Sequence, residues 1–452
     1  MPRLLIRNGQ VVTPTDLLSA DVLIEDEQIV GLVAPDSITW PDAEVIDATG
    51  CYVMPGLVDP HTHVQLDTGI YKTADDWEIG TKTAAFGGIT TLVDFATQFP
   101  GMTFPEALEN RLNECRPAYI DYSHHMMVTD PPSDDDAYRA ALTELRDLGV
   151  PSIKLYTTYR PNYYMDDAAL LRTFQAMPEG MMALVHCEND AIVSAATQRL
   201  VAEGKTSWAY HGQGRPWQAE VEAVARVVHL AMMAQATVYI VHCTMPRSLK
   251  HINRMRQSYP RVYGETCPQY FTLNEDAYTG PNPEHHILQP PLRSPEAMTT
   301  MRDTMHLADV ISTDHCDYSL AQKQEFTDFT KTPGGLPGLE TSLQLTMQHL
   351  TPQEIVVKMS ATPAKLFGLY PRKGALLPGS DADVVIYNPR PSVTIRADKL
   401  HTIGGYTPYE GLTVQGYVRT TISRGMILVD EGKFYGKIGR GRFLKGAPFS
   451  TK

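Results

Sequence analysis

Met54-Pro55-Gly56-Leu57-Val58-Asp59-Pro60-His61-Thr62-His63 ends an apolar run with two imidazoles one residue apart. Side chains alternate along a strand, so His61 and His63 would leave its end on the same side and aim at one small volume. Two neutral imidazoles converging in this way supply half of a transition-metal site. A lone His-x-His pair arises by chance on many polar loop edges, and it is the rest of the chain that gives this one weight.

From about residue 53 onward, short apolar strands alternate with amphipathic helical stretches. The strands are Tyr52–Val58, Thr91–Phe95, Ile120–Val128, Ser152–Tyr156, Met182–His186, Val238–His242, Val262–Glu265 and Val310–Thr313. Helical stretches between them include Ala74–Ala85, Ala137–Leu148, Ala191–Glu203, Gln218–Met233 and Pro246–Gln257. Continuous apolar strands with helical crossovers form a parallel sheet covered on its outer face, and eight of them predict an α/β fold of the (β/α)8 barrel type. An open doubly wound sheet would call for a glycine-rich phosphate loop after the first strand, and there is none. Residues 1–52 read as short strands separated by turns, and strands return in 373–452 after a helical segment around Thr362–Leu369. Neither end buries enough surface alone, so the two are expected to pair into one small β-sandwich beside a barrel domain spanning 53–372. The basic, glycine-rich Gly439–Lys445 tail is expected to be solvated or to contact another subunit.

Composition narrows the function classes. With 43% hydrophobic and 20% charged residues the chain is an ordinary globular protein. Its net charge of -13 argues against nucleic acid or an anionic membrane as partner. No apolar run approaches the ~20 residues that cross a bilayer, and the start shows no signal-peptide core. The six cysteines form no CxxC pair, which fits a reduced cytoplasm better than a disulfide framework.

In such barrels the chemistry sits at the C-terminal ends of the strands. Those ends carry His61 and His63, Lys154, His186, His242 and Asp314. Singly, each has an ordinary explanation: a hydrogen-bonded end histidine, an N-cap aspartate, a lysine snorkelling from the rim. Jointly they place four imidazoles, a carboxylate and an amine at one mouth. His124, His125, His285, His286 and His315 are taken as structural. Lys154 is the informative residue, because an ammonium is costly to bury beside a cationic site. A neutral amine that captures carbon dioxide becomes a carbamate, whose two oxygens can bridge two metal ions. A pair of divalent ions about 3.5–4 Å apart lowers the pKa of a shared water to near neutrality, and Asp314 could move its proton to a leaving nitrogen.

These residues resemble the cyclic amidohydrolases, in particular their hydantoinase/dihydropyrimidinase branch, over essentially the whole length. The resemblance rests on Gly56–His63, Thr73–Glu78, Gly87–Thr91, Ile153–Tyr156, His186–Asn189, Val241–Cys243, Glu265–Tyr270, Pro290–Arg293, Thr313–Cys316, Pro378–Asp383 and Gly441–Lys445. It implies a two-metal site, zinc being the expected ion, with His61 and His63 on one ion and His186 and His242 on the other. N6-carboxylated Lys154 would bridge them and Asp314 would complete the first. It further implies hydrolysis of the ring amide of hydantoins or dihydropyrimidines to N-carbamoyl amino acids. Tyr159 matches the tyrosine that steadies substrate and developing oxyanion. The implied assembly is a homo-oligomer, a tetramer or dimer. Two positions depart from the branch. Gln289 stands where serine is usual before Pro-Pro-Leu-Arg, and Gly334 where asparagine is usual before Gly-Leu-Pro-Gly. Both family residues grip the substrate through backbone atoms, so Gln289 and Gly334 are carried as substrate-binding positions. A dihydroorotase would be expected to carry arginine where Gln65 stands. The alternatives are an allantoinase-like ureide hydrolase and a non-catalytic scaffolding homologue. The full set of six metal-ligand candidates favours catalysis.

Overall fold

The computed structural model describes residues 3–450. Eight parallel strands, Leu57–Thr62, Ile89–Thr97, Asp121–Met127, Ser152–Tyr156, Met182–His186, Thr237–Ile240, Val262–Thr266 and Val310–Ile311, pair with their sequence neighbours in order. The eighth meets the first through a parallel bridge between Thr62 and His315, and the His63 N–H donates to the His315 carbonyl at 2.7 Å. The expected (β/α)8 architecture is therefore present. The first, third, fourth and fifth of these strands are buried along their full length, because helices cover one face and the barrel interior the other.

Short polar residues after the strands start the return helices. Asp76, Asp134, Asp166 and Asn189 each accept a first-turn backbone N–H, and Thr103 forms a capping box with Glu106. The helices Phe104–Glu114, Asp167–Ala176 and Pro295–Thr304 were not anticipated from periodicity.

The stretch expected as one strand, Tyr52–Val58, is divided at Gly56. Tyr52–Pro55 pairs with Val384–Thr394 and with Gln10–Val12, whereas Leu57–Thr62 opens the barrel. The Gly56 N–H donates to the Asp383 carbonyl at 2.9 Å. A Cβ here would lie 2.2 Å from Thr90 Oγ1, so the crossing from one sheet to the other needs glycine.

The two chain ends build a four-stranded and a seven-stranded sheet. Their shared core joins Leu4, Val22 and Ile24 from the N-terminal part with Val384, Ile386 and Ile422 from the C-terminal part. The tail departs from expectation. It runs across the N-terminal mouth of the barrel, where the N–H groups of Leu444, Gly446 and Phe449 donate to the carbonyls of Tyr122, Gly149 and Gly180 at 2.7–2.8 Å. Leu444 is buried there. Close by, the buried Lys373 ammonium lies 2.8 Å from Asp121 and Asp383 and 3.0 Å from Asp381. Among the described residues no helix is long and apolar enough to cross a membrane.

Candidate active site

The C-terminal mouth of the barrel holds a cavity of about 510 Å³. All nine residues singled out in the sequence line it: His61, His63, Lys154, Tyr159, His186, His242, Gln289, Asp314 and Gly334. Strand register explains part of this convergence, since Lys154 pairs with Leu184 and Tyr156 with His186 on the adjacent strand.

Two buried carboxylates orient the imidazoles from behind. His61 Nδ1 lies 2.7 Å from Glu265 Oε1, which leaves Nε2 facing Asp314 Oδ1 at 3.3 Å and Lys154 Nζ at 3.3 Å. His186 Nε2 lies 2.8 Å from Glu188 Oε2, which turns Nδ1 toward His242 Nε2 at 2.9 Å. His63 Nε2 approaches Asp314 Oδ1 at 3.4 Å. Glu265 also accepts from the Tyr239 hydroxyl and the His242 N–H, at 2.7 and 2.8 Å. Asp59 accepts from the His61 N–H and from the Thr313 N–H and hydroxyl, locking the first strand to the eighth.

Electrostatics follow from this enclosure. Burial holds His61, His186 and His242 below the ordinary imidazole value, with the Lys154 charge adding to the effect, so all three are neutral at neutral pH. Burial brings the Lys154 amine down to about 8, against the pull of Asp314 and Glu265. Burial would raise the Asp314 carboxyl, but His61 and His63 outweigh it and keep the group below its usual range. Burial likewise opposes ionisation of Glu188, and the Arg215 guanidinium and His186 more than offset it.

Three of the nine residues carry left-handed backbone: Tyr159 at φ 76°, His242 at 36° and Asp314 at 50°. Non-glycine residues hold such conformations at a cost of order 1–3 kcal/mol each when the surroundings over-determine them, and they cluster at functional sites. The Tyr159 ring sits 5.1 Å from the Arg215 guanidinium and 4.9 Å from the His186 ring. Burial pushes its phenol further above its ordinary value, leaving a neutral O–H donor.

A metal pair fits these donors. The His61 and His186 imidazoles, each neutral and anchored on a carboxylate, together with the His63 and His242 rings, the facing Asp314 carboxylate and a weakly basic amine, form an N/O set suited to divalent ions. Donor atoms of His61, His242 and Asp314 lie within 4.8 Å of one another, and His63 Nδ1 is buried without a hydrogen-bond partner. A second group, Asp75, His315 and Asp317, is fully buried outside the cavity. There the imidazole lies 3.5 and 3.4 Å from the two carboxylates.

Glu188, Arg215, Tyr239, Glu265 and Asp59 were not singled out from sequence as functional. Three of them stand inside the quoted motifs, at Asp59-Pro60-His61, His186-Cys187-Glu188 and Glu265-Thr266-Cys267. A carboxylate beside a candidate ligand was the available signal. Arg215 and Tyr239 left none, because their partners are distant in sequence.

The chain matches the amidohydrolase family over residues 52–428. A D-phenylhydantoinase of Escherichia coli O81 (strain ED1a) is 40% identical over 461 residues, covering 99% of each chain. The crystal structure of dihydropyrimidinase from Brevibacillus agri NCHU1002 superposes with a TM-score of 0.95 at 34% identity, over 100% of both chains. L-Hydantoinase (dihydropyrimidinase) from Arthrobacter aurescens does so with a TM-score of 0.89 at 27% identity, over 98% of this chain and 100% of its own. Similarity that runs end to end in sequence and in backbone, with no domain left unmatched, allows a direct assignment: this chain belongs to the amidohydrolase family.

Proposed function

We propose that this chain is a binuclear-metal cyclic amidase that opens the ring amide of hydantoins or dihydropyrimidines to give N-carbamoyl amino acids. One observation carries the proposal: a buried amine of lowered basicity faces neutral imidazoles and Asp314 at the floor of a cavity roomy enough for a substituted ring. His61, His63 and Asp314 would hold one ion and His186 and His242 the other, with the carboxylated amine of Lys154 between them. When bound, such a pair supplies Lewis-acid polarisation of the ring carbonyl and acidifies water. Zinc is the ion we favour.

The residues do the remaining work. The ionised Asp314 accepts the proton of the attacking water and returns it to the leaving ring nitrogen. The neutral Tyr159 hydroxyl donates to the oxygen that gains negative charge as the carbonyl becomes tetrahedral. Backbone atoms around Gln289 and Gly334 hold the ureide, and Leu66, Ile70 and Tyr163 line the wall where a ring substituent would lie. A dihydroorotase-like reading finds no support, since Gln65 Oε1 is occupied by the Trp77 N–H at 3.2 Å and lies outside the cavity lining.

Metal analysis together with turnover of hydantoin, dihydrouracil, allantoin and dihydroorotate tests the proposal. About two ions per chain and ring opening of the first two compounds are expected. Metal-free protein inactive on all four would favour the scaffolding alternative. Glu265→Gln replaces the carboxylate behind His61 with an amide. It should weaken metal retention about 10–100-fold in competition against a chelator, and unchanged retention would remove Glu265 from that role. All six cysteines are free and buried, which supports a reducing compartment such as the cytoplasm. A homo-oligomer, tetramer or dimer, is carried by family analogy and is open to light scattering.

A further inference from the structure

Gln289 and Gly334, the two positions that depart from the family pattern, meet in space. A Cβ built on Gly334 would lie 1.7 Å from Gln289 Oε1 and 2.4 Å from its Nε2. Any side chain at 334 would therefore take the place of the Gln289 carboxamide. Gly334 is not among the residues with left-handed backbone, so its neighbour demands the glycine and its own conformation does not. The segments that carry the pair are tied together from below. Buried Lys323 donates to the Ile287 carbonyl at 2.7 Å and to the Pro333 carbonyl at 2.9 Å, and the Gly335 N–H donates to Ile287 at 3.0 Å.

The carboxamide that results is uncommitted. It lines the cavity, is half-buried, and neither its oxygen nor its nitrogen has a hydrogen-bond partner among the described residues. A carboxamide presents an acceptor and a donor side by side. Each –CO–NH– unit of a cyclic ureide presents the complementary pair, so two parallel hydrogen bonds can form between them.

We infer that the Gln289 side chain, seated against the bare backbone of Gly334, is a substrate-recognising group that pairs with a –CO–NH– unit of the ring. It adds to the backbone contacts expected at these positions, and it rests on the cyclic-ureide function proposed above. Because the Gln289 side chain is flexible, a residue at 334 would push the carboxamide aside without unfolding the barrel. Substitution at either position then removes the same contact.

Steady-state kinetics of Gln289→Ser, Gly334→Ala and the double variant, on the cyclic ureide that wild type turns over best, test this directly, with thermal melting in parallel. Each single substitution should raise KM about tenfold, as expected for one to two net hydrogen bonds, with kcat within about twofold. Melting should be unchanged, and the double variant should be no worse than either single one, because both delete one shared interaction. An unmoved KM in Gln289→Ser, or penalties that multiply in the double variant, would overturn the inference. So would a Gly334→Ala that melts lower with no change in KM, which assigns the pair to packing. A wild type inactive on every cyclic ureide would fail at an earlier step and overturn the proposed function as well. An active wild type with unaffected variants overturns this inference alone.

Discussion

Lys154→Ala is expected to abolish ring opening, lowering kcat/KM by about a thousandfold or more, the scale on which groups acting as one unit fail together. Lys154 is 1% exposed and its amine lies 5.1 Å from the Phe95 ring and 5.4 Å from the Tyr156 ring, so water cannot replace it freely. Alanine removes the only group on the fourth strand that could become a bridging anion, and the proportion of bound metal should fall with activity. The same deletion opens space for a small carboxylate, so acetate or propionate should restore part of the lost rate in a saturable manner. Rescue by a short carboxylic acid separates loss of the bridge from loss of the fold, which no additive would repair. Full activity of Lys154→Ala without additive would reject the bridging role. Mass spectrometry of the intact, metal-loaded protein provides an independent reading, because a carboxylated amine is heavier than a free one by one carbon dioxide.

The largest effect on stability is expected at the opposite end of the barrel. Lys373→Met should destabilise the protein by about 3–5 kcal/mol, because removing one partner from a buried ionic cluster leaves the others uncompensated. Lys373 faces Asp121, Asp381 and Asp383; Arg424 is the further cation on Asp121, and Arg372 on Asp381. Methionine keeps the volume, so the loss reports charge and not a cavity. Burial opposes ionisation of Asp121, yet Lys373 and Arg424 outweigh it and hold the carboxyl below its ordinary value. A carboxyl with a depressed folded-state pKa contributes stability that is present above the unfolded value, near 4, and is lost as pH falls through the folded one. The gap between wild type and Lys373→Met, read as the shift in denaturation midpoint, should therefore narrow below about pH 4. A gap that is small at neutral pH, or widens in acid, would show that the cluster is not the anchor of the barrel floor.

The two clusters differ in how far sequence alone reveals them. The upper one was legible because its members lie at the ends of five of the eight barrel strands, and position at a strand end can be read from an apolar run and the polar residue that follows. His186 after Leu184-Val185 and His242 after Ile240-Val241 show this directly. The lower one was hidden. Lys373, Asp121 and Asp383 sit in three unrelated stretches, and nothing local to any of them announces a partner.

Order along the chain thus determined the barrel, the pairing of its ends into a second unit, and the residues that line the cavity at the C-terminal mouth. All three are consequences of periodicity and of polar punctuation between apolar segments, which are local properties. Tertiary structure alone decided the break at Gly56, where Thr90 stands too close for any side chain, and the closing of the barrel floor by the tail. It also decided the anchoring of His61 by Glu265, 204 residues away, and the seating of Gln289 against Gly334. Each of these depends on which atoms come within a few ångströms after folding, and that distance has no counterpart in sequence separation.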